Sequence, residues 1–177
     1  MKKQILLTAL LATAFGINAV SIQQLIDEGR CPRVTAASFG GESLNLAMLD
    51  IDDLTGLRNI PGIDYVTELN LFHNKIINIQ GFFDNLPNLL SINLAQNQIR
   101  SIDHCFDSCP NLKQINVSSN SLESLNSANI MRLPSLKRLD VSENFLILSQ
   151  EKKQMLSTKC KFNYGTQREQ PELDFSF

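Results

Sequence analysis

Two histidines and four cysteines are the residues of this chain best suited to chemistry, so their neighbours decide whether any is done. His104 and Cys105 are adjacent and could open a metal site. Zinc needs four ligands at short recurrent spacings, and no second pair stands at such a distance. No G-x-S-x-G, H-E-x-x-H, P-loop or paired Gly-rich phosphate motif occurs. There is thus no framework for an activated nucleophile, a metal-bound water or a nucleotide. A Ser, a His and an Asp can be picked from any chain of 177 residues, and their presence carries no weight. The expectation is a protein that is not an enzyme, with no catalytic residues, no metal and no cofactor.

Composition narrows the partner instead. Hydrophobic residues make up 43% and charged residues 19%, enough to build a core. The length argues for one domain, at most with tails. Net charge is −2, which does not suit nucleic acid, a ligand bound through clustered basic charge. Export is expected from the first 19 residues. Met1-Lys2-Lys3 is a basic start, Ile5 to Phe15 is an uncharged apolar run, and Ala19 is a small residue before a cut. A signal peptide over 1–19 places the mature start near Val20 and the protein in a secreted, periplasmic or cell-surface compartment. The run is too short for a transmembrane span, which takes about 20 apolar residues.

The elements that position any site are dictated by a repeat. Val66 to Ile76 (VTELNLFHNKI), Leu89 to Ile99, Leu112 to Leu122 and Leu136 to Leu146 all read L-x-x-L-x-L-x-x-N-x-L with aliphatic swaps. Their asparagines are Asn74, Asn97, Asn120 and Asn144, at steps of 23, 23 and 24. An earlier copy aligns best with Leu44-Asn45-Leu46 on Leu69-Asn70-Leu71, a step of 25 that leaves Leu49 in the Asn position.

The motif resembles that of leucine-rich repeat proteins of the short 22- to 25-residue type, over roughly residues 41 to 162. The resemblance implies an α/β solenoid, a curved stack of parallel strands on the concave face with short helical or irregular convex segments and capped ends. It also implies a non-catalytic module that binds protein through the concave strands. The residues supply a reason for the shape. L-x-L alternates as a strand does, sending Leu69 and Leu71 inward and Asn70 outward. Each repeat Asn can satisfy backbone groups of its own coil and of a neighbour, groups that would cost about 1–3 kcal/mol apiece if buried unpaired. The structural ladder is therefore Asn74, Asn97, Asn120 and Asn144. On the return half of each coil, Phe83, Phe106 and Ile130 form one expected stack, with Leu86, Cys109 and Leu133 beside it.

A coil cannot bury its apolar edges alone, so both ends need caps. Residues 20–43 are read as a helical cap and an irregular linker: Ser21 to Gln24 has capping-box form and Gly29 is a natural stop. Residues 44–147 hold about five coils. Residues 148–164 form the second cap, with a helix over Gln150 to Leu156 and a closing strand in which Cys160 and Phe162 face inward. Residues 165–177 are read as a loose tail. With strands about 4.8 Å apart, five steps separate Cys31 from Cys160 by roughly 24 Å. That excludes a disulfide, which needs Cα atoms within about 7 Å. Cys105 and Cys109 are near enough in sequence to meet.

The candidate partner-binding residues lie in columns on the concave face. Asn70, Asn93 and Asn116 form the middle column, Glu68 and Arg138 flank it, and Leu90, Lys113 and Lys137 run beyond. Phe72 and His73 stand on the other side, and with Leu90 they are the bulky candidates for an anchor. The face is acidic toward the first coils and basic toward Lys113, Lys137 and Arg138. A protein partner is the leading expectation. Cell-wall glycan is the alternative, for which a stacking platform is missing, and self-association of a structural envelope protein is a third.

Overall fold

The computed structural model describes residues 20–36, 40–84 and 86–169; the proposed signal peptide and the end of the tail lie outside them. Strands β1 (Val20–Ser21), β2 (Thr35–Ala36), β3 (Glu42–Asn45), β4 (Ile51–Asp53), β5 (Val66–Asn70), β6 (Ser91–Asn93), β7 (Gln114–Asn116), β8 (Arg138–Asp140) and β9 (Lys161–Asn163) are joined by three α-helices and by 3-10 turns at Leu57–Asn59 and Ile63–Tyr65. The α-helices are α1 (Ile22–Asp27), α2 (Ser127–Met131) and α3 (Gln150–Lys159). One sheet runs β2-β3-β5-β6-β7-β8-β9, parallel from β3 onward, while β1 pairs with β4 outside it. The curved leucine-rich repeat solenoid expected from the sequence is the fold.

Register follows the repeat. Leu69, Ile92, Ile115 and Leu139 face one another in successive strands. Leu44 pairs with Leu69, so the 25-residue step is the one that joins the first coil to the second. These positions and the second inward residue of each strand, Leu71, Leu94, Val117 and Val141, are buried, with the convex apolar residues opposite them. Phe83 and Phe106 stack face to face at 5.6 Å between ring centres and 8° between planes, and Ile130 is buried in the next coil.

A feature absent from the sequence reading is the conformation before each ladder Asn. His73, Gln96, Ser119 and Glu143 all adopt the left-handed region, as does Met48 before Leu49 in the Asn position, with φ between 53° and 59°. The turn swings the next residue inward, so Asn74, Asn97, Asn120 and Asn144 are buried. Asn97 shows what each does. Its Nδ2 donates to Leu94 O of its own coil at 3.0 Å and to Leu71 O of the preceding coil at 2.9 Å. Its Oδ1 accepts from Ile76 N of that preceding coil at 3.1 Å. Every rung thus serves the coil before it; Asn120 and Asn144 repeat the set, reaching Ile99 N and Leu122 N. Asn74 accepts from both Leu49 N and Ile51 N, which carries the first coil through without an Asn of its own.

The caps differ from expectation in detail. Ser21 Oγ accepts from Gln24 N and caps α1, whose Gln23 N donates to Thr55 O of the first coil. Gly56 is required there: at φ 96° a Cβ would lie 2.5 Å from Gln23 N. The expected linker contains β2, which lies antiparallel on β3 and covers the open sheet edge. Helix α3 runs three residues beyond Leu156, to Lys159. Residues 165–169 are not loose. Thr166 O accepts from Glu143 N, Arg168 N donates to Asn144 O, and Gln167 sits where a further ladder Asn would stand. Gly165 permits this course: at φ 52° a Cβ would be 2.5 Å from Ser142 Cβ.

Candidate binding face

The strands place their outward residues in register across the sheet, so each column is fixed by the ladder beneath it. In the middle column, Asn45, Asn70, Asn93, Asn116, Asp140 and Asn163 follow one another. These side chains are not free. The Oδ1 of Asn93 accepts from Ala95 N at 3.1 Å, that of Asn116 from Ser118 N at 3.0 Å, and that of Asn70 from Phe72 N at 3.1 Å. An outward Asn closing a turn on its own backbone two residues on is a common local bond. Asn70 also donates through Nδ2 to Asn45 Oδ1, and Asn163 to Asp140 Oδ2.

The flanking columns are joined through backbone. Lys113 N donates to Leu90 O, Lys137 N to Lys113 O, and Lys161 N to Lys137 O, each at 2.8 Å. Leu90 and Lys113 are half-buried, while Lys137, Arg138 and Lys161 are exposed. Arg138 Nη1 reaches only 3.5 Å from Gln114 Oε1, and Glu68 lies at the same column position on β5. Phe72 is half-buried rather than fully exposed, its ring 5.8 Å from that of His73. His73 is exposed and its Nδ1 lies 2.8 Å from Gln96 Oε1. Ala95, which alternation puts outward, is only 5% exposed.

A hollow of about 540 Å³ lies across β6, β7, β8 and β9. It brings together Asn93, Asn116 and Arg138 from the residues chosen by sequence, and adds Lys161 and Asn163. Those two were missed as surface residues, although the alternation of the closing strand points them outward. Glu68, Asn70, Phe72 and His73 belong to the second coil and do not line the hollow; neither do Leu90, Lys113 and Lys137, one residue before their strands. Met48, which shares the His73 column in the first coil, is 65% exposed.

His104 Nδ1 lies 2.7 Å from Asp107 Oδ2 on the exposed convex side, and the described residues hold no cluster of metal-ligating side chains. All four cysteines are free, Cys105 and Cys109 included. Burial pushes the Cys105 thiol up to about 12, helped by the carboxylates of Asp103, Asp107 and Asp84. Cys109 is raised to about 11 by burial and then by Asp84. Neither is a nucleophile at neutral pH. At the rim, the hydrogen bond from Lys75 holds the Asp50 carboxyl below its usual range. No helix among the described residues is long and apolar enough to cross a membrane.

A leucine rich repeat family model matches residues 64–122 and 103–146. No curated protein sequence matches the chain. In fold it is similar to a chain in the crystal structure of the Drosophila melanogaster SNF/U2A' complex (TM-score 0.63, 18% identity), covering 82% of this chain and 85% of that one. It is also similar to an internalin, inlF, of Listeria monocytogenes (TM-score 0.54, 22% identity), over 68% of this chain and 34% of that one. A leucine-rich repeat protein of Leptospira interrogans gives a TM-score of 0.51 at 20% identity, over 69% and 36%. The chain spans about a third of the length of these two bacterial structures.

Proposed function

The chain is a leucine-rich repeat protein by fold, a scaffold that commonly mediates protein–protein interaction, and from that premise we propose that it is an exported, non-catalytic module that binds a protein partner on its concave sheet. The observation that carries this reading is the hollow across β6 to β9. There, polar outward residues of four successive strands surround a depression, held in register by the strand pairing. Phe72 is the proposed anchor at the other end of the face. A half-buried aromatic ring is already ordered by its neighbours and still has surface for a partner to desolvate.

The test is capture from the native envelope with the purified chain as bait, set against binding to isolated cell-wall glycan. Phe72→Ala should weaken the captured partner by more than about 2 kcal/mol. Reversing Lys113, Lys137 and Arg138 together should slow association, most at low salt. Arg132→Glu on the convex side should change neither. A partner weakened only by the convex substitution would overturn the concave assignment. Export is tested by the N-terminus of the protein purified from its host, expected near Val20; intact Met1 on a cytoplasmic pool would refute it.

A further inference from the structure

Hydrogen-bond accounting in the hollow says which chemistry it can receive. An Asn side chain offers one acceptor oxygen and one donor nitrogen. In Asn93 and Asn116 the oxygen is engaged by the backbone turn, and in Asn116 it also accepts from Ser118 Oγ at 2.8 Å. Among the described residues neither Nδ2 has a partner, so both present donors to the hollow. The single carboxylate there is engaged on both oxygens. Asp140 Oδ1 accepts from Ser142 N at 3.0 Å and from Ser142 Oγ at 2.7 Å, and Oδ2 from Asn163 Nδ2 at 2.8 Å.

Cations complete the set. Arg138 and Lys161 are register neighbours on β8 and β9, and Lys113 and Lys137 precede β7 and β8. Among the described residues none of the four forms an ion pair; the three that occur are Arg30–Glu28, Lys75–Asp50 and His104–Asp107. With strands about 4.8 Å apart, the four coils offer donors over roughly 14 Å, the span of four or five extended residues.

We propose that this hollow binds an extended acidic segment of the protein partner, with carboxylates held by Asn93 Nδ2, Asn116 Nδ2, Arg138 and Lys161. The proposal rests on the concave-face reading and gives its partner a chemistry. Beside the hollow, half-buried Leu90 at the head of the lysine column offers an apolar contact to a flanking peptide side chain, which an anionic glycan would not use. Salt dependence is expected, because the cations are exposed and screened over about 8 Å at physiological ionic strength.

The experiment uses the purified chain and fluorescein-labelled poly-L-glutamate, with anisotropy read at low and physiological salt. The decisive variant is Asn116→Asp. It keeps the oxygen that holds Ser118, as Asp140 naturally does for Ser142, and replaces the donor by an acceptor. Asn116→Asp and Lys161→Glu should each weaken binding at least tenfold with the thermal midpoint unchanged, while Arg132→Glu should alter it less than twofold. Unchanged affinity in Asn116→Asp would overturn the proposal. So would heparin of comparable length binding more tightly through the same residues, which would make the hollow a glycan site. If polyglutamate fails to bind while a Phe72-dependent protein is captured, the acidic segment is refuted and the concave reading stands.

Discussion

Gln167 does for Leu146 what Asn144 does for Leu122: its Oε1 accepts from Leu146 N at 3.0 Å, against 2.9 Å for the Asn bond. Its Nε2 donates to Val141 O of the preceding coil and to Tyr164 O. One methylene longer than Asn, it closes the ladder from a segment with no repeat of its own. Gln167→Ala should therefore cost about 2 kcal/mol, by stranding buried backbone groups of the last coil. Hydrogen exchange should quicken at Leu146 and its neighbours while Leu71 and Leu94 stay protected. Uniform quickening along the stack would mean that Gln167 is not a local closure.

Asn97 and Asn93 separate the two kinds of asparagine. Asn97→Ala removes a partner from Ile76 N, Leu71 O and Leu94 O and should cost about 3 kcal/mol. Asn93→Ala removes only the turn bond to Ala95 N and should cost about 1 kcal/mol, in the range of a single net hydrogen bond. Denaturant midpoints measure both, and the reverse ranking would contradict the ladder.

Asn129 is the weak point of the core. It is 6% exposed, its Nδ2 has no partner among the described residues, and the same column holds Phe82 and Cys105 in the two preceding coils. Replacing a buried unpaired polar group by an apolar one of similar size removes a desolvation penalty of about 1–3 kcal/mol. Asn129→Leu should raise the thermal midpoint. A lowered midpoint would show that the amide has a role the packing does not reveal.

Buried thiols set an alkaline limit. Cys105 and Cys109 ionise at about 12 and 11 in the fold, above the 9.0 of a free thiol. The unfolded chain therefore loses these protons first as pH rises. Their contribution to stability is complete below pH 9 and declines between 9 and about 11–12. Unfolding midpoints measured across that window should fall less steeply in Cys105→Ala with Cys109→Ala than in the parent chain. Equal slopes would mean that other groups dominate the alkaline transition.

The solenoid was legible in the residues because each coil repeats the same instruction. Leucine alternation, the Asn steps and the convex inward position held by Phe83, Phe106 and Ile130 each occur more than once, so one irregular copy, such as Leu49 in an Asn position, does not hide them. What occurs once was illegible. Gln167 stands in a segment without a period, so nothing marked it as a rung. Left-handed turns at His73, Gln96, Ser119 and Glu143 carry no glycine to announce them. Of the candidate face, alternation placed the columns but could not say which outward atoms were engaged. Asn93 and Asn116 bend their oxygens back onto their own backbone, which leaves their amide donors to face the hollow.

Since every rung supports the coil before it, a middle unit such as residues 100–122 is complete in what it gives and what it needs. It brings Asn120 for its predecessor and accepts Asn144 from its successor. An in-frame tandem copy of those 23 codons would meet the same two neighbours and add about 4.8 Å of sheet. Gene length at this locus can thus change in whole coils, widening or narrowing the reach of the face, while the unrelated sequences at the two ends stay unaltered.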